Sequence, residues 1–247
     1  MRRRGARAGE ECRMDKPRRV LLKLSGEALA GDKRFGFDEA VVKSVAAQVR
    51  LAAGSGVQIA VVIGGGNFWR GRSSNAIDRV KADQIGMLAT VMNAIYVSEI
   101  FRDAGMQTEI FSPFICGTMT KQFSKDEAAQ ALAAGKVVFF AGGTGHPYFS
   151  TDTGVVLRAI EMEADEILLA KAVDGVYDSD PRTNPQAIRY ESVTIEEVVE
   201  KKLQVIDLAA SILCLENRMP MAVFGLDGEG SIKNALEGHI SGTRVTV

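Results

Sequence analysis

The sequence predicts an α/β fold: a three-layer α/β/α sandwich with a mostly parallel central sheet. Three observations predict it. Short runs that are apolar nearly throughout, Val20–Leu24, Val57–Ile63 and Lys136–Ala141, alternate with longer stretches of helical periodicity. Strands apolar at nearly every position suit a sheet covered on both faces. Glycine clusters follow Leu24, Ile63 and Ala141. The tight bends therefore fall at the carboxyl ends of strands, where open parallel sheets collect their ligands.

The remaining elements follow in order. Asp38 is placed to cap a helix running to about Ala53; Val41, Val42, Val45 and Val49 share one face, and Gly54 stops it. A long helical pattern runs from about Ala82 to Arg102 and ends at Gly105, and Thr108–Phe111 reads as a strand. Ser124 and Glu127 have capping-box spacing ahead of an alanine-rich helix that ends at Gly135. Asp152–Ala164 reads as a helix with Asp152 as its N-cap, and Ile167–Ala170 as a strand. Thr194 and Glu197 form a second capping box. Leu208–Asn217 and Ile232–Leu236 read as helices, Met221–Phe224 and Thr243–Val247 as strands.

Composition bounds the rest. The 247 residues are 46% hydrophobic and 25% charged, with a formal net charge of −1, so no global basic field calls for a nucleic-acid partner. Three widely spaced cysteines and two histidines point away from a disulfide framework or a zinc site and toward a reduced, cytoplasmic setting. No apolar run approaches ~18 residues, so no membrane span is expected. The basic leader 1–17 has no apolar stretch behind it and is not a secretory signal. It is set aside either as a disordered tail or as sequence ahead of a start at Met14, leaving 18–247 as one expected domain.

Three loops carry the chemistry. In the first, Lys23-Leu24-Ser25-Gly26, a lysine at a strand end stands beside a small-residue turn, suited to a phosphate. In the second, Gly64-Gly65-Gly66-Asn67, glycines let a ligand approach the backbone, and Arg70 follows one turn later. The third, Gly142 to Thr153, mixes glycines with hydroxyls, two aromatics and Asp152, groups that suit a base and its edges. No GxxxxGK[ST] loop occurs and no GxGxxG follows a strand, which points away from P-loop kinases and dinucleotide dehydrogenases.

The loops, taken in this order, resemble the amino-acid-kinase family, and within it the bacterial uridylate kinases. The matching segments are KLSGEAL at Lys23–Leu29, VVIGGGN at Val61–Asn67, GMLATVMNA at Gly86–Ala94, AGGTGHPYFSTDT at Ala141–Thr153, KAVDGVYDSDP at Lys171–Pro181 and VIDLAA at Val205–Ala210. The resemblance covers the chain from about Arg19 onward.

It implies ATP and UMP as substrates, Mg²⁺ carried with ATP, and a homohexamer without nucleic-acid or membrane partners. It implies that Lys23 and Asp152 are catalytic, with Asp152 organising lysines and metal. ATP would meet Lys23, Leu24, Ser25, Gly26, Gly66, Arg70, Tyr177 and Asp180. UMP would meet Gly65, Asp83, Thr144, Gly145, His146, Pro147, Tyr148, Phe149, Ser150 and Thr151. The segment Gly31, Asp32, Lys33, Arg34, Phe35 and Gly36 matches the region tied to GTP activation, with UTP as a possible inhibitor. No residue is assigned directly to metal. His146 stands where an asparagine is common, and Lys171-Ala172 falls where the family varies, so no adenine contact is assigned there. Two other readings stay open at this stage: another kinase of the same fold, acting on an amino acid or carbamate, and an ATP-binding protein of the molybdenum-storage type.

Overall fold

The computed structural model describes residues 17–33, 35–69, 77–203, 205–226 and 230–247. The leader through Lys16, and with it most of the expected tail, lies outside the described residues, as do Arg34 and Arg70. Nine strands form one sheet: β1 (Arg19–Leu24), β2 (Gln58–Ile63), β3 (Thr108–Ser112), β4 (Lys121–Gln122), β5 (Val137–Phe140), β6 (Glu166–Lys171), β7 (Ser192–Thr194), β8 (Met221–Gly225) and β9 (Gly242–Thr246). Their order is β4-β3-β5-β2-β1-β6-β8-β9-β7, and every pairing is parallel except β8 with β9. The α/β reading holds.

β1 lies at the centre of this arrangement. Its neighbours are β2 on one side and β6 on the other, in register Leu24↔Ile63 and Leu24↔Ala170. Because these strands run parallel, the bends after β1, β2, β5 and β6 all leave from one rim. That is the switch-point geometry at which such sheets hold ligands.

Successive side chains point to opposite faces, so each strand feeds two cores. Val20, Leu22 and Leu24 pack with α2 (Glu39–Gly54), α3 (Arg79–Asp103) and α8 (Ser231–Leu236). Leu21 joins Val62, Phe140, Ile167 and Leu169 under α4 (Lys125–Ala133), α5 (Thr151–Glu161), α6 (Ile195–Glu200) and α7 (Leu208–Asn217). Each fully buried aliphatic or phenyl group contributes roughly 1.5–3 kcal/mol, and both layers rest on the same six-residue β1.

Local signals explain most helix ends. The Asp38 carboxylate accepts from the Ala40 and Val41 amides and starts α2. Thr194 and Glu197 form the full reciprocal capping box of α6, whereas Ser124 caps α4 by accepting from the Glu127 amide. Helix α3 starts a turn earlier than expected, at Asp78, whose side chain accepts from the Lys81 amide.

One expectation needs correction. Asp152 is not the N-cap of α5; Ser150 is, and its hydroxyl accepts from the Asp152 and Thr153 amides. Three neighbouring residues, Ser150, Thr151 and Asp152, are all competent caps. Ser150 takes the role because the turn geometry presents its oxygen to both amides, which leaves the Asp152 carboxylate in the first turn.

One helix bears on the expectation that no segment spans a membrane. At 25 residues, with an 18-residue window of mean hydropathy 1.2, α3 is long and apolar enough to cross one by length and composition. Its apolar residues divide between the sheet, through Val91, Ala94, Val97 and Phe101, and an exposed row at Ile85, Leu88, Met92 and Ile95. The same helix carries polar groups into the rim described next, so it serves as a core helix of this fold.

Candidate active site

Side-chain alternation predicts where the strand-end lysines point. Lys23 shares the face of Leu21, and Lys171 shares the face of Ile167 and Leu169, so both ammonium groups rise on the α5 side of the rim. The start of α5 meets them there. Lys23 Nζ lies 2.8 Å from Asp152 Oδ1 with both side chains largely buried. That oxygen makes no hydrogen bond of good geometry, so the contact is an ion pair that leaves it able to take a further partner. Lys171 Nζ donates to the Val205 carbonyl. Burial pushes the Lys171 ammonium below the usual lysine range and Lys23 adds to this, while the Asp152 charge opposes it.

Two cavities open along the rim. The first, about 490 Å³, is lined by Lys23, Ser25, Lys171, Tyr177, Asp180, Arg182 and Lys202, with Val173 and Val223 among its apolar walls. Tyr177 donates its hydroxyl to Asp174 Oδ1 at 2.7 Å, which pushes the phenol up and holds the Asp174 carboxyl below its usual range. Arg182 grips Asp180 through Nε and Nη2 and lowers that carboxyl too. Leu24 and Gly26 lie buried beneath the bend that bears Ser25.

The second cavity, about 200 Å³, is lined by Gly65, Gly66, Asp83, Thr144, His146, Phe149, Ser150 and Thr151, joined by Trp69, Arg79, Met87 and Thr90. Gly66 thus sits with the residues of the second cavity. Gly145, Pro147 and Tyr148 belong to the loop but not to its lining. Gly142, Gly143 and Gly145 have φ of 77°, 59° and 84°, a region open chiefly to glycine. Tyr148, at φ 72°, is held there because its amide donates to Asp83 Oδ2 at 2.8 Å, an oxygen that also accepts from Arg79 Nε at 2.9 Å. Thr90 fastens the same loop to α3 by accepting from the Gly142 amide at 2.7 Å.

The cavities meet at the Lys23–Asp152 pair: Lys23 lines the first, and Asp152 follows Thr151, which lines the second. Three groups that sequence reasoning passed over belong to this rim. Lys171 lines the first cavity. Asp207 caps α7 through the Ala210 amide and binds the hydroxyls of Ser150 and Thr153, tying α7 to the start of α5. Thr90 is the third. Asp207, ahead of an apolar helical run, carries a visible N-cap signal; Lys171 carries no local signal, because its neighbours come from β1 and α5. The segment 31–36 forms a short 3₁₀ turn at Gly31–Lys33 and returns to the second glycine bend, where the Gly36 amide donates to the Asn67 carbonyl.

Strand-end lysines, glycine bends and paired cavities on one rim are the equipment of an enzyme that handles phosphorylated substrates. The profile of the amino acid kinase family matches residues 18–225, and the chain belongs to that family; it is a kinase-class enzyme. Among solved structures it is similar to the UMP kinase from Bacillus anthracis, with 34% identity, a TM-score of 0.89, and coverage of 94% of this chain and 97% of that one. It is similar to the UMP kinase from Ureaplasma parvum at 33% identity and a TM-score of 0.88, covering 94% and 100%. The uridylate kinase from Archaeoglobus fulgidus matches at 25% identity and 0.73, covering 92% and 99%.

Proposed function

We propose that the enzyme transfers the γ-phosphoryl group of ATP to UMP, giving ADP and UDP, as a step of pyrimidine nucleotide synthesis in the cytoplasm. Residues 18–247 act as one domain in this reading. The observation that carries it is the meeting of two cavities at Lys23 and Asp152, the larger rich in cationic side chains and the smaller built from glycine backbone and hydroxyls. The first accepts ATP, with Lys23 through Gly26 and Lys171 toward the phosphates and Tyr177 and Asp180 toward the nucleoside. The second accepts UMP, with Gly65 and Asp83 on phosphate and ribose and Thr144 to Thr151 around the base.

The chemistry asks little of the protein beyond placement and charge. The attacking atom is a phosphate oxygen of UMP, already largely anionic near neutral pH because the second pKa of a phosphate monoester is about 6. No general base is needed. Lys23 and Lys171 offset charge on the transferring group, and the amides of the glycine bends and of the first turn of α5 add fixed donors. Asp152 holds Lys23 in place.

Mg²⁺ fits this site as a passenger of the nucleotide. Among the described residues no group of three or more His, Cys, Asp or Glu forms a metal cage, while the incompletely satisfied Asp152 Oδ1 offers a carboxylate oxygen at the junction. Mg²⁺ commonly takes one or two carboxylates plus phosphate oxygens and keeps its waters. When bound it neutralises phosphate charge.

The same reading takes the enzyme as a homohexamer responsive to GTP and UTP. The exposed row Ile85, Leu88, Met92 and Ile95 on α3 supports assembly: its spacing of three and four residues is that of a helix–helix seam. Contact of the 31–36 segment with the second glycine bend supports its regulatory assignment. The deciding experiment is a steady-state assay with ATP and Mg²⁺ against UMP, CMP, glutamate, aspartate and carbamate, with and without GTP and UTP. UMP turnover is expected. Turnover of an amino acid or carbamate with none of UMP would overturn the substrate assignment.

A further inference from the structure

We propose that a buried pair of asparagines, Asn67 and Asn93, is the positioning device that fixes the two substrate cavities at one separation; the proposal rests on the two-substrate reading above. The side chains form a reciprocal amide pair. Asn67 Nδ2 donates to Asn93 Oδ1 at 3.0 Å, and Asn93 Nδ2 donates to Asn67 Oδ1 at 2.8 Å. Their remaining N–H groups reach backbone: Asn67 Nδ2 to the Gly36 carbonyl at 2.8 Å and Asn93 Nδ2 to the Gly64 carbonyl at 2.7 Å. Every amide hydrogen is thus used, in a place where both residues are essentially inaccessible to solvent, at 1% and 0%. Along that face of α3 stand the buried Ala89 and Val97, with Thr90 the nearest other buried polar group. A leucine at either position would strand the partner amide and a buried backbone carbonyl, so two amides in this core specify an arrangement rather than add bulk.

What the pair joins gives its role. Gly64 opens the second glycine bend, and Gly65 and Gly66 of that bend line the second cavity. Asn93 belongs to α3, which delivers Asp83 and Thr90 to the same cavity. The bend that carries Ser25 in the first cavity rests on the pair as well. A Cβ on Gly26 would stand 2.2 Å from the Gly64 carbonyl oxygen and 2.5 Å from Asn67 Oδ1, so only glycine lets the two bends seat together. One amide pair therefore bolts both bends, α3 and the Gly36 loop into a single unit. In-line phosphoryl transfer depends on the separation of donor and acceptor, and a misplacement of about 1 Å costs on the order of 10²-fold. Loosening the bolt leaves the contacts within each cavity while spoiling their mutual alignment.

The test begins with wild type and UMP. No turnover there defeats the substrate reading, and the variants are then compared on whichever acceptor wild type uses, so the two failures stay distinct. Asn93→Leu is expected to lower kcat about 10–100-fold while KM for ATP and for UMP each stay within about threefold, at a temperature where circular dichroism shows it folded. A purely structural role predicts a lower Tm with kcat unchanged, and that result overturns the proposal; so does a rise in KM alone. Asn67→Leu combined with Asn93→Leu is expected to cost no more than the worse single change, since the two act as one unit; additive losses overturn it. Should Asn93→Leu fail to fold, Asn93→Asp carries the test. Its carboxylate has no proton for Asn67 Oδ1 or the Gly64 carbonyl, and burial among acceptors raises its pKa. The ratio of its kcat to that of wild type is expected to climb as pH falls from about 8 to 6 and the acid regains one donor; a flat ratio overturns the proposal.

Discussion

The two cavities lie side by side on one rim and are made of different material. The first is walled by long cationic side chains, Lys23, Lys171, Arg182, Lys201 and Lys202, projecting from strand ends and loops. The second is walled by glycine backbone, hydroxyls and the rings of Trp69, His146 and Phe149, with its α3 groups pinned by neighbours: Asp83 by Arg79 and Tyr148, Thr90 by Gly142 and Met87. On the proposed reading the difference matches two tasks. A polyphosphate is recognised mainly by charge, which the cationic side chains of the first cavity supply. A pyrimidine nucleotide is recognised by shape and hydrogen-bond pattern, which a rigid backbone supplies better.

The comparison breaks most visibly at Lys23. Lys23→Ala is expected to lower kcat by about 10³-fold with a much smaller rise in KM for ATP, as when one preorganised charge donor is removed from a transition state. A kcat within tenfold of wild type, measured at saturating ATP and UMP, would move Lys23 from transfer to simple binding. The contrast sharpens at Asp83. Asp83→Ala is expected to raise KM for UMP about 10–100-fold, the scale of a hydrogen bond to a charged group, with kcat within about threefold. If the ATP parameters moved instead, the second cavity would not be the acceptor site.

The two cavities were also unequally legible in sequence. The second was visible because its material is local: Gly64 to Asn67 and Gly142 to Thr153 are continuous stretches whose composition announces a bend. Lys23 was visible for the same reason, standing beside Ser25 and Gly26. Lys171 was not. It becomes a site residue only because β6 pairs with β1, a pairing of segments some 150 residues apart that no periodicity reports. Asp152 is legible as a carboxylate at a helix start that can serve a lysine, but helix-cap signals cannot choose among Ser150, Thr151 and Asp152 without the fold. Short elements escaped for a related reason. Helix α1 (Gly26–Leu29) has four residues, and β4 and β7 have two and three, too few to express a period. The edge strand β7 exists because β9 offers it a parallel partner.

Lys171 gives the finest test of the contrast, because its charge is conditional. Burial holds its ammonium below the usual lysine range, and Lys23 adds repulsion. In the window between that lowered value and the unfolded value, the native state binds fewer protons than the unfolded chain. Stability of the free enzyme therefore gains from this group as pH rises through the window and loses the gain as pH falls. ATP reverses the preference: a polyphosphate beside Lys171 favours the protonated form, so binding takes up a proton at alkaline pH. The kcat/KM for ATP is then expected to fall on an alkaline limb that begins below the range of an ordinary lysine. Lys171→Arg, whose guanidinium stays charged, should flatten that limb while changing the neutral-pH value by less than about tenfold. The kcat/KM for UMP at saturating ATP should show no matching change. A limb that survived in Lys171→Arg would place the titrating group elsewhere, and the first cavity would then depend on fixed rather than conditional charge.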